Sequence, residues 1–566
     1  MPAREWAPQP AVAGLGAVVD RPAANPGRAD GGWGRARLAW IGAYLAAGVV
    51  LFLCYLRVSG TQSVSSDGGS NVLEAWDMLH GNLVLHGWTL TDVSFYTTEL
   101  PEYMLVELIR GLGPAVVHTA AAFTYTLLVL LAGLVAKGRA TGREGVARAL
   151  IGSGIMLAPQ LGNPVFVLLL VPDHVGTGVP MLLIFLVLDR AQRWPGWPGP
   201  TGRRWYVPPV IALMLAWATI GDRLVIAAAV VPIVVVCGIR IVRAVLADRP
   251  LAAVRFEAGL AAAGIASLGI SLLALRILGH LDGYKLIPLG TDLAKVSGLA
   301  RHFRLTGEGV LGLYGADFVH APLGPQTAIA VLHLAGLALA AWALARALRR
   351  FFRTDDLLVQ VLAVGILADL AAFVFSSLPR TIWDTRQISA VLPFGAALAG
   401  RLLAGDLLRA RLVPALAVIL ACYTAALGFG AAQHDVPAHD QSLADWLVAH
   451  GFTYGLSTYY EGNVTTLDSG GRVHLIAVHW GADKSVPRAY QSAASWYDPQ
   501  LHYANFVVNT GADQPPAIIP PRDLRNAFGP PAKVYHDGPY TILVWNKNLL
   551  ADLGQPPRQG PGNVER

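Results

Sequence analysis

Charge is scarce in this chain. Asp, Glu, Lys and Arg make up 14% of its 566 residues against 54% hydrophobic ones, with a mean hydropathy of +0.47. Water-soluble domains carry about 25% charged residues, so a soluble globular protein is excluded. Cysteine is scarcer still. Cys54, Cys237 and Cys422 each fall in an apolar stretch, which leaves neither a disulfide framework nor a CxxC metal site to expect. Walker A, HExxH and G-x-S-x-G patterns are missing, which removes the commonest signals for ATP-driven work, zinc proteolysis and serine hydrolysis. The formal charge of +6 does not point to nucleic acid. The basic residues sit in short clusters between apolar runs and form no stripe.

What the chain has is long apolar runs. Residues 38–58 are roughly 20 apolar residues, enough to cross a bilayer as a helix. Further runs lie near 114–136, 149–171, 178–189, 206–220, 224–239, 257–279, 326–345, 357–378, 388–404 and 412–431. This predicts a polytopic α-helical membrane protein of about eleven transmembrane helices. The 37 residues before the first run carry Arg21, Arg28, Arg35 and Arg37 among Pro, Gly and Ala and read as a disordered basic tail. No short apolar stretch near Met1 suggests a cleaved leader.

Basic clusters recur in every second loop: Lys137–Arg148, Arg190–Arg204, Arg240–Arg255, Arg346–Arg353 and Arg401–Arg411. The positive-inside rule then places the N-terminus inside and, with an odd number of crossings, residues 432–566 outside. Acidic residues collect in the alternate loops. The first of these, 59–113, holds two helix-like stretches, Asn71–His80 and Glu102–Arg110, suited to the membrane surface. Beyond Gly430 the apolar runs shorten. Gln441–His450 has helical spacing, and Val473–Val478, Asn505–Asn509 and Thr541–Trp545 read as short buried strands, so a small exported α/β C-terminal domain is expected. The domains are thus 1–37, 38–431 and 432–566.

The outer loops carry the candidate chemistry. Asp67, about ten residues past the first run, stands before Gly68-Gly69, which permit a tight backbone turn. It is a candidate general base; the plain alternative is that Asp67 or Ser70 caps the helix near Asn71. Asp92 precedes a dense polar and aromatic run containing Tyr96 and Glu99. Asp92 is a second candidate carboxylate, while Glu99 and Tyr96 are candidate hydroxyl contacts, with loop and cap roles as the alternative. Asp173-His174 ends one span: Asp173 is a candidate acceptor contact, and His174 suits phosphate binding or proton relay, with a plain interfacial polar role as the alternative. Asp222-Arg223 reads either as an ion pair within a tight turn or as a functional pair facing a cavity. Arg380 and Arg386 flank Asp384 in one compact loop, where guanidinium forks match phosphate oxygens; headgroup anchoring is the alternative, and Lys285, Arg301 and Arg304 form a rival cation set. Tyr459 and Tyr460 offer aromatic faces for a sugar ring, or simply core packing. Asn463-Val464-Thr465 matches the N-glycosylation acceptor pattern.

The layout resembles the GT-C superfamily of integral membrane glycosyltransferases, which includes protein mannosyltransferases, arabinofuranosyltransferases and lipid A aminosugar transferases. The resemblance rests on a short basic N-terminus, a first span followed by a long loop bearing Asp67, about ten further spans and a C-terminal domain. It implies a polyprenyl-phosphate-linked sugar as donor, a cell-envelope glycan, lipid or protein as acceptor, and a bacterial plasma-membrane location. Asp67 takes the place of the family's base, with Asp77 and Asp92 as rivals, because glycines follow Asp67 where relatives often pair two acids. No cofactor is implied, although paired acids also suit a divalent metal. Leu443–Thr466 resembles segments of actinobacterial membrane proteins. A transporter or flippase of a lipid-linked saccharide and a non-catalytic scaffold binding the envelope are the alternative readings; acids at the ends of spans instead of their middles speak against transport.

Overall fold

The computed structural model describes residues 30–162, 167–191, 205–287, 292–437, 441–480, 486–487, 491–510 and 519–554. The predicted tail therefore lies outside the described residues up to position 29, as do Arg193, Arg203 and Arg204. Helix α1, Asp30–Ser59, starts eight residues before the predicted span. The chain divides into two compact units inside this helix, at Val49–Val50. The described part of the first unit is helix, with Trp40 and Tyr44 stacked 5.0 Å apart.

The second unit holds everything else. Helices α2 (Ser66–Leu79) and α3 (Glu99–Arg110) fall in the first loop, separated by strand β1 (Trp88–Leu90). Then follow α4 (Ala115–Lys137), α5 (Gly142–Ile155), α6 (Gly178–Ala191), α7 (Val207–Gly221), α8 (Ile226–Leu246) and α9 (Arg255–His280). Strand β2 (Lys285–Leu286) and helix α10 (Leu299–Leu313) precede α11 (Pro325–Arg349), α12 (Leu357–Val374), α13 (Val391–Arg409) and α14 (Val413–Ala431).

Eight helices among the described residues are long and apolar enough to cross a membrane: α1, α4, α8, α9, α11, α12, α13 and α14. Of the eleven predicted crossings, the remaining three correspond to the shorter α5, α6 and α7. The run at 149–171 is not one helix, because α5 ends at Ile155 and Met156–Gly162 is irregular. Helices α4, α12 and α13 bury most of their length at the centre, whereas α14 exposes most of its residues, as an apolar helix facing lipid does.

The C-terminal region follows its predicted pattern closely. Helix α15 (Gln441–Ala449) leads to β3 (Tyr454–Ser457), α16 (Tyr459–Asp468), β4 (His474–His479), β5 (Val486–Pro487), β6 (Ser492–Ala493), β7 (Phe506–Thr510), α17 (Pro521–Phe528), β8 (Lys533–Asp537) and β9 (Tyr540–Val544). Six strands form one sheet in the order β5-β4-β3-β7-β9-β8, with β3 parallel to both β4 and β7. Alternation splits β7 between two cores: Phe506 and Val508 on one face, Val507 on the other.

Two seams tie this region to the membrane part. Strand β1 pairs with β2 on one side and β6 on the other. Helix α16 packs on α2, where the Asn463 amide donates to Ser70 Oγ at 2.7 Å and Ser66 Oγ donates to the Tyr460 carbonyl at 3.2 Å. Asn463 is thus buried and engaged, unlike an exposed glycan acceptor. These contacts put residues 66–70 and 459–463 on one membrane face. The chain between them crosses an even number of times; with seven long apolar helices as crossings, the shorter ones supply an odd number more.

Candidate active site

Helix α2 starts at Ser66, five residues earlier than its expected beginning. Ser65 caps it, its Oγ accepting the Gly68 N–H at 3.2 Å, so neither Asp67 nor Ser70 is the cap. Gly68 and Gly69 are helical instead of forming a turn, and they serve close approach. A Cβ on Gly68 would lie 2.7 Å from Val171 Cγ1, and one on Gly69 would meet the Asn463 main chain at 3.4 Å. The early start also places Asp67, Asn71 and Glu74 at i, i+4 and i+7, on one face of α2.

Asp67 is held from two sides. Arg386 Nη1 donates to its Oδ2 at 2.9 Å, and the Tyr459 hydroxyl donates to its Oδ1. Tyr459 also lies 2.5 Å from Gln491 Oε1. Arg386 comes from a short 3-10 helix, Ile382–Ile388, opened by a capping box in which Asp384 Oδ2 accepts the Thr381 N–H at 2.6 Å. Asp384 therefore shapes the loop that presents Arg386. The Asp67 and Arg386 side chains keep 30% and 34% of their surface, so a ligand can reach the pair.

Behind the pair lies a buried acidic wall. Asn71 Nδ2 donates to Asp173 Oδ1 at 2.7 Å, and burial pushes Asp173 up to about 6 although Arg386 pulls it down. Glu74, buried beside Asp173, is driven well above the carboxylate range, first by burial and then by that neighbour. Burial works against the charge of Arg386, but Asp67 and Asp173 outweigh it and hold the guanidinium more firmly protonated. His174 next door has φ +62° and turns the opposite way: its Nδ1 lies 2.8 Å from Asp222 Oδ2 and its ring meets Phe95 edge-on at 5.3 Å. Thr177 Oγ1 bridges Asp222 and Glu99, each at 3.1 Å. Glu99 is buried, and burial raises it well above the usual range. Asp92 is half-buried in the electrostatic reach of His174 and Asp222, and burial raises it too. Asp173-His174 is thus a hinge between two sets of groups, one around Asp67 and one around Asp222.

Several sequence candidates stand elsewhere. Arg380 is exposed; its N–H is held by Asp384 and its carbonyl by Arg301, and its guanidinium has no partner in the Asp67 group. Arg304 pairs with Glu308 at 3.8 Å, and Lys285 is exposed on β2, so the rival cation set does not converge. Asp77 accepts from Trp88 Nε1 and Asn82 Nδ2, both at 2.7 Å, a structural tie behind β1. Asp222 pairs with His174 while Arg223 is exposed, so the expected ion pair of that turn is not formed. Tyr96 donates to the Leu83 carbonyl at 2.9 Å, and Tyr460 lies half-exposed beside Tyr459. No group of three or more His, Cys, Asp or Glu arranged to hold a metal occurs among the described residues.

The chain is similar to ArnT from Cupriavidus metallidurans bound to undecaprenyl phosphate, with a TM-score of 0.54 and 13% identity over 91% of this chain and 99% of that one. The apo state of the same protein gives 0.53 and 13% over 92% and 99%. Both share the overall fold of this chain, in keeping with the GT-C layout expected from the sequence. An Archaeoglobus fulgidus oligosaccharyltransferase, tethered with an acceptor peptide, is a weaker likeness, at TM-score 0.46 and 12% identity over 82% of this chain and 69% of that one. No family model and no curated protein sequence matches the chain. At such identities the likeness is one of fold, and the GT-C arrangement here is a helical membrane part joined to a C-terminal sheet region.

Proposed function

We propose that this chain is a membrane glycosyltransferase that moves a sugar from a polyprenyl-phosphate donor to a hydroxyl or amide of a cell-envelope acceptor, on the face bearing Asp67. The observation that carries this reading is the accessible Asp67–Arg386 pair in front of a buried acidic wall. Its support is the GT-C fold and the undecaprenyl phosphate bound by ArnT.

The acceptor atom attacks the anomeric carbon as the carbon–oxygen bond to phosphate breaks. Asp67 takes the acceptor's proton, and Arg386 stabilises the negative charge left on phosphate. Arg386 has the donors for both tasks: Nη1 holds Asp67 while Nε and Nη2 have no hydrogen-bond partner among the described residues. Tyr459 orients the carboxylate from the C-terminal region. This reading places the chain in the bacterial plasma membrane with the C-terminal region outside.

The test is transfer in membranes holding wild type or Asp67→Asn at equal amounts, supplied with labelled polyprenyl-phosphate sugars and envelope acceptors. Transfer by wild type alone is expected, with loss of about 100-fold or more in the variant. Equal transfer by both would move the base elsewhere. Absence of transfer by folded wild type would favour the saccharide-transport or scaffold readings.

A further inference from the structure

A second site lies at the other ends of the same helices. Helix α12 begins at Leu357 and ends at Val374, shortly before the segment carrying Arg386; α13 then returns from Val391 to Arg409. The 18 residues of α12 span about 27 Å, so its first turn lies on the membrane face opposite Asp67. There a cavity of about 370 Å³ opens, lined by Arg346, Arg350, Arg353 and Thr354 over a floor that includes Ala347 and Val359.

Three features of this cavity point to a ligand. First, the arginines converge: Arg346 lies in the last turn of α11, Arg350 follows the helix end with its N–H donating to the Arg346 carbonyl at 3.1 Å, and the chain then turns tightly. The Arg350 carbonyl accepts N–H groups of Arg353 at 2.8 Å and Thr354 at 3.0 Å, which keeps all four residues together. Second, the charge of Arg350 and Arg353 is not cancelled. No carboxylate lines the cavity; Asp406 bridges Arg346 and Arg409, Asp356 pairs with Arg401 at 2.7 Å, and the exposed Asp355 next to Thr354 is not among the lining residues. Arg350 and Arg353 have no ion pair among the described residues. Third, exposed apolar side chains neighbour the cavity residues along the chain. Leu348 and Phe352 are 40% and 62% exposed, Phe352 with the Arg243 guanidinium 5.4 Å from its ring centre, and Trp342 higher on α11 is 48% exposed, a pattern suited to contact with acyl chains at the membrane interface.

We propose that this cavity binds the headgroup phosphate of an anionic phospholipid, its acyl chains lying along the exposed Leu348, Phe352 and Trp342. Arginine forks take phosphate oxygens bidentately, and Thr354 adds a hydroxyl donor. A free phosphate ion shares the headgroup chemistry but makes no use of the exposed Leu348, Phe352 and Trp342. Charge that only orients the chain needs neither a concavity nor convergence of side chains.

The experiment uses the full chain in detergent, titrated with phosphatidylglycerol, phosphatidylcholine or inorganic phosphate while its thermal unfolding is followed. Phosphatidylglycerol should raise Tm, and the other two should not. In the double variant R350Q/R353Q the titration midpoint should shift roughly thirtyfold to higher lipid, about tenfold or less per arginine. A control with the same charge change, R249Q/R255Q, removes two exposed arginines of another basic cluster and should respond like wild type. An unchanged midpoint in R350Q/R353Q, an equal loss in the control, or an equal effect of inorganic phosphate would each overturn the proposal.

Discussion

Tyr459 donates its phenolic hydrogen to Asp67 across a separation of 392 residues, joining the sheet region to the helix that follows the first span. The same hydroxyl lies 2.5 Å from Gln491, so its direction is fixed by two partners. The C-terminal region is therefore part of the candidate active site.

Tyr459→Phe keeps the ring packing and removes only the hydroxyl. A hydrogen bond to a charged group contributes about 1.5–3 kcal/mol. Turnover should fall roughly 10- to 100-fold while the donor KM stays near wild type, since Arg386 is untouched. Steady-state kinetics on folded variant decides this; a change confined to KM would assign Tyr459 to substrate binding instead.

Glu107 on α3 is buried with neither carboxylate oxygen paired, and burial pushes it up to about 9. An unfolded Glu titrates near 4.3. Below about pH 4 both states are protonated and the residue costs nothing. As pH rises from there towards 9 the unfolded state ionises while the folded state keeps its proton, so stability falls. Glu107→Gln removes this loss: its advantage over wild type should be near zero at pH 4 and roughly 2–4 kcal/mol at pH 7. Unfolding of both proteins across that range checks it, and a constant difference would contradict the assignment.

Gly68 and Gly69 should differ sharply despite their adjacency. Gly68→Ala drives a methyl group against Val171 and Val117, at 2.7 and 3.1 Å, and should cost about 1–3 kcal/mol and displace Asp67. Gly69→Ala meets the Asn463 main chain at ordinary contact distance and gains helix propensity, so it should be near neutral. Thermal unfolding and transfer rates of the two variants test the contrast.

Much of the fold was legible because it follows local patterns. Apolar runs of bilayer length gave the long helices, and short β-branched stretches gave β4, β7 and β9 within a residue or so. The site was legible only in part. Asp67, Asp173, Arg386 and Tyr459 were each visible as chemistry on one face, but nothing local separated Arg386 from Arg380; a capping box and a distant carbonyl contact do that. Glu74 belongs to the acidic stretch after the first span, but a turn at Gly68-Gly69 hides that Asn71 and Glu74 share a face with Asp67. Once the helix starts at Ser66, their spacing from Asp67 is the signal. Gln491 had none, since its place depends on β6 pairing with β1.

That pairing has a consequence for biogenesis. Strand β1 is made early and completed on one edge by residues 492–493, and Asp67 waits for Tyr459 and Gln491. A nascent chain halted after its last span holds every helix of the membrane part and still lacks a finished centre. Completion of the candidate site therefore waits until residues 459–493 have settled on α2 and β1.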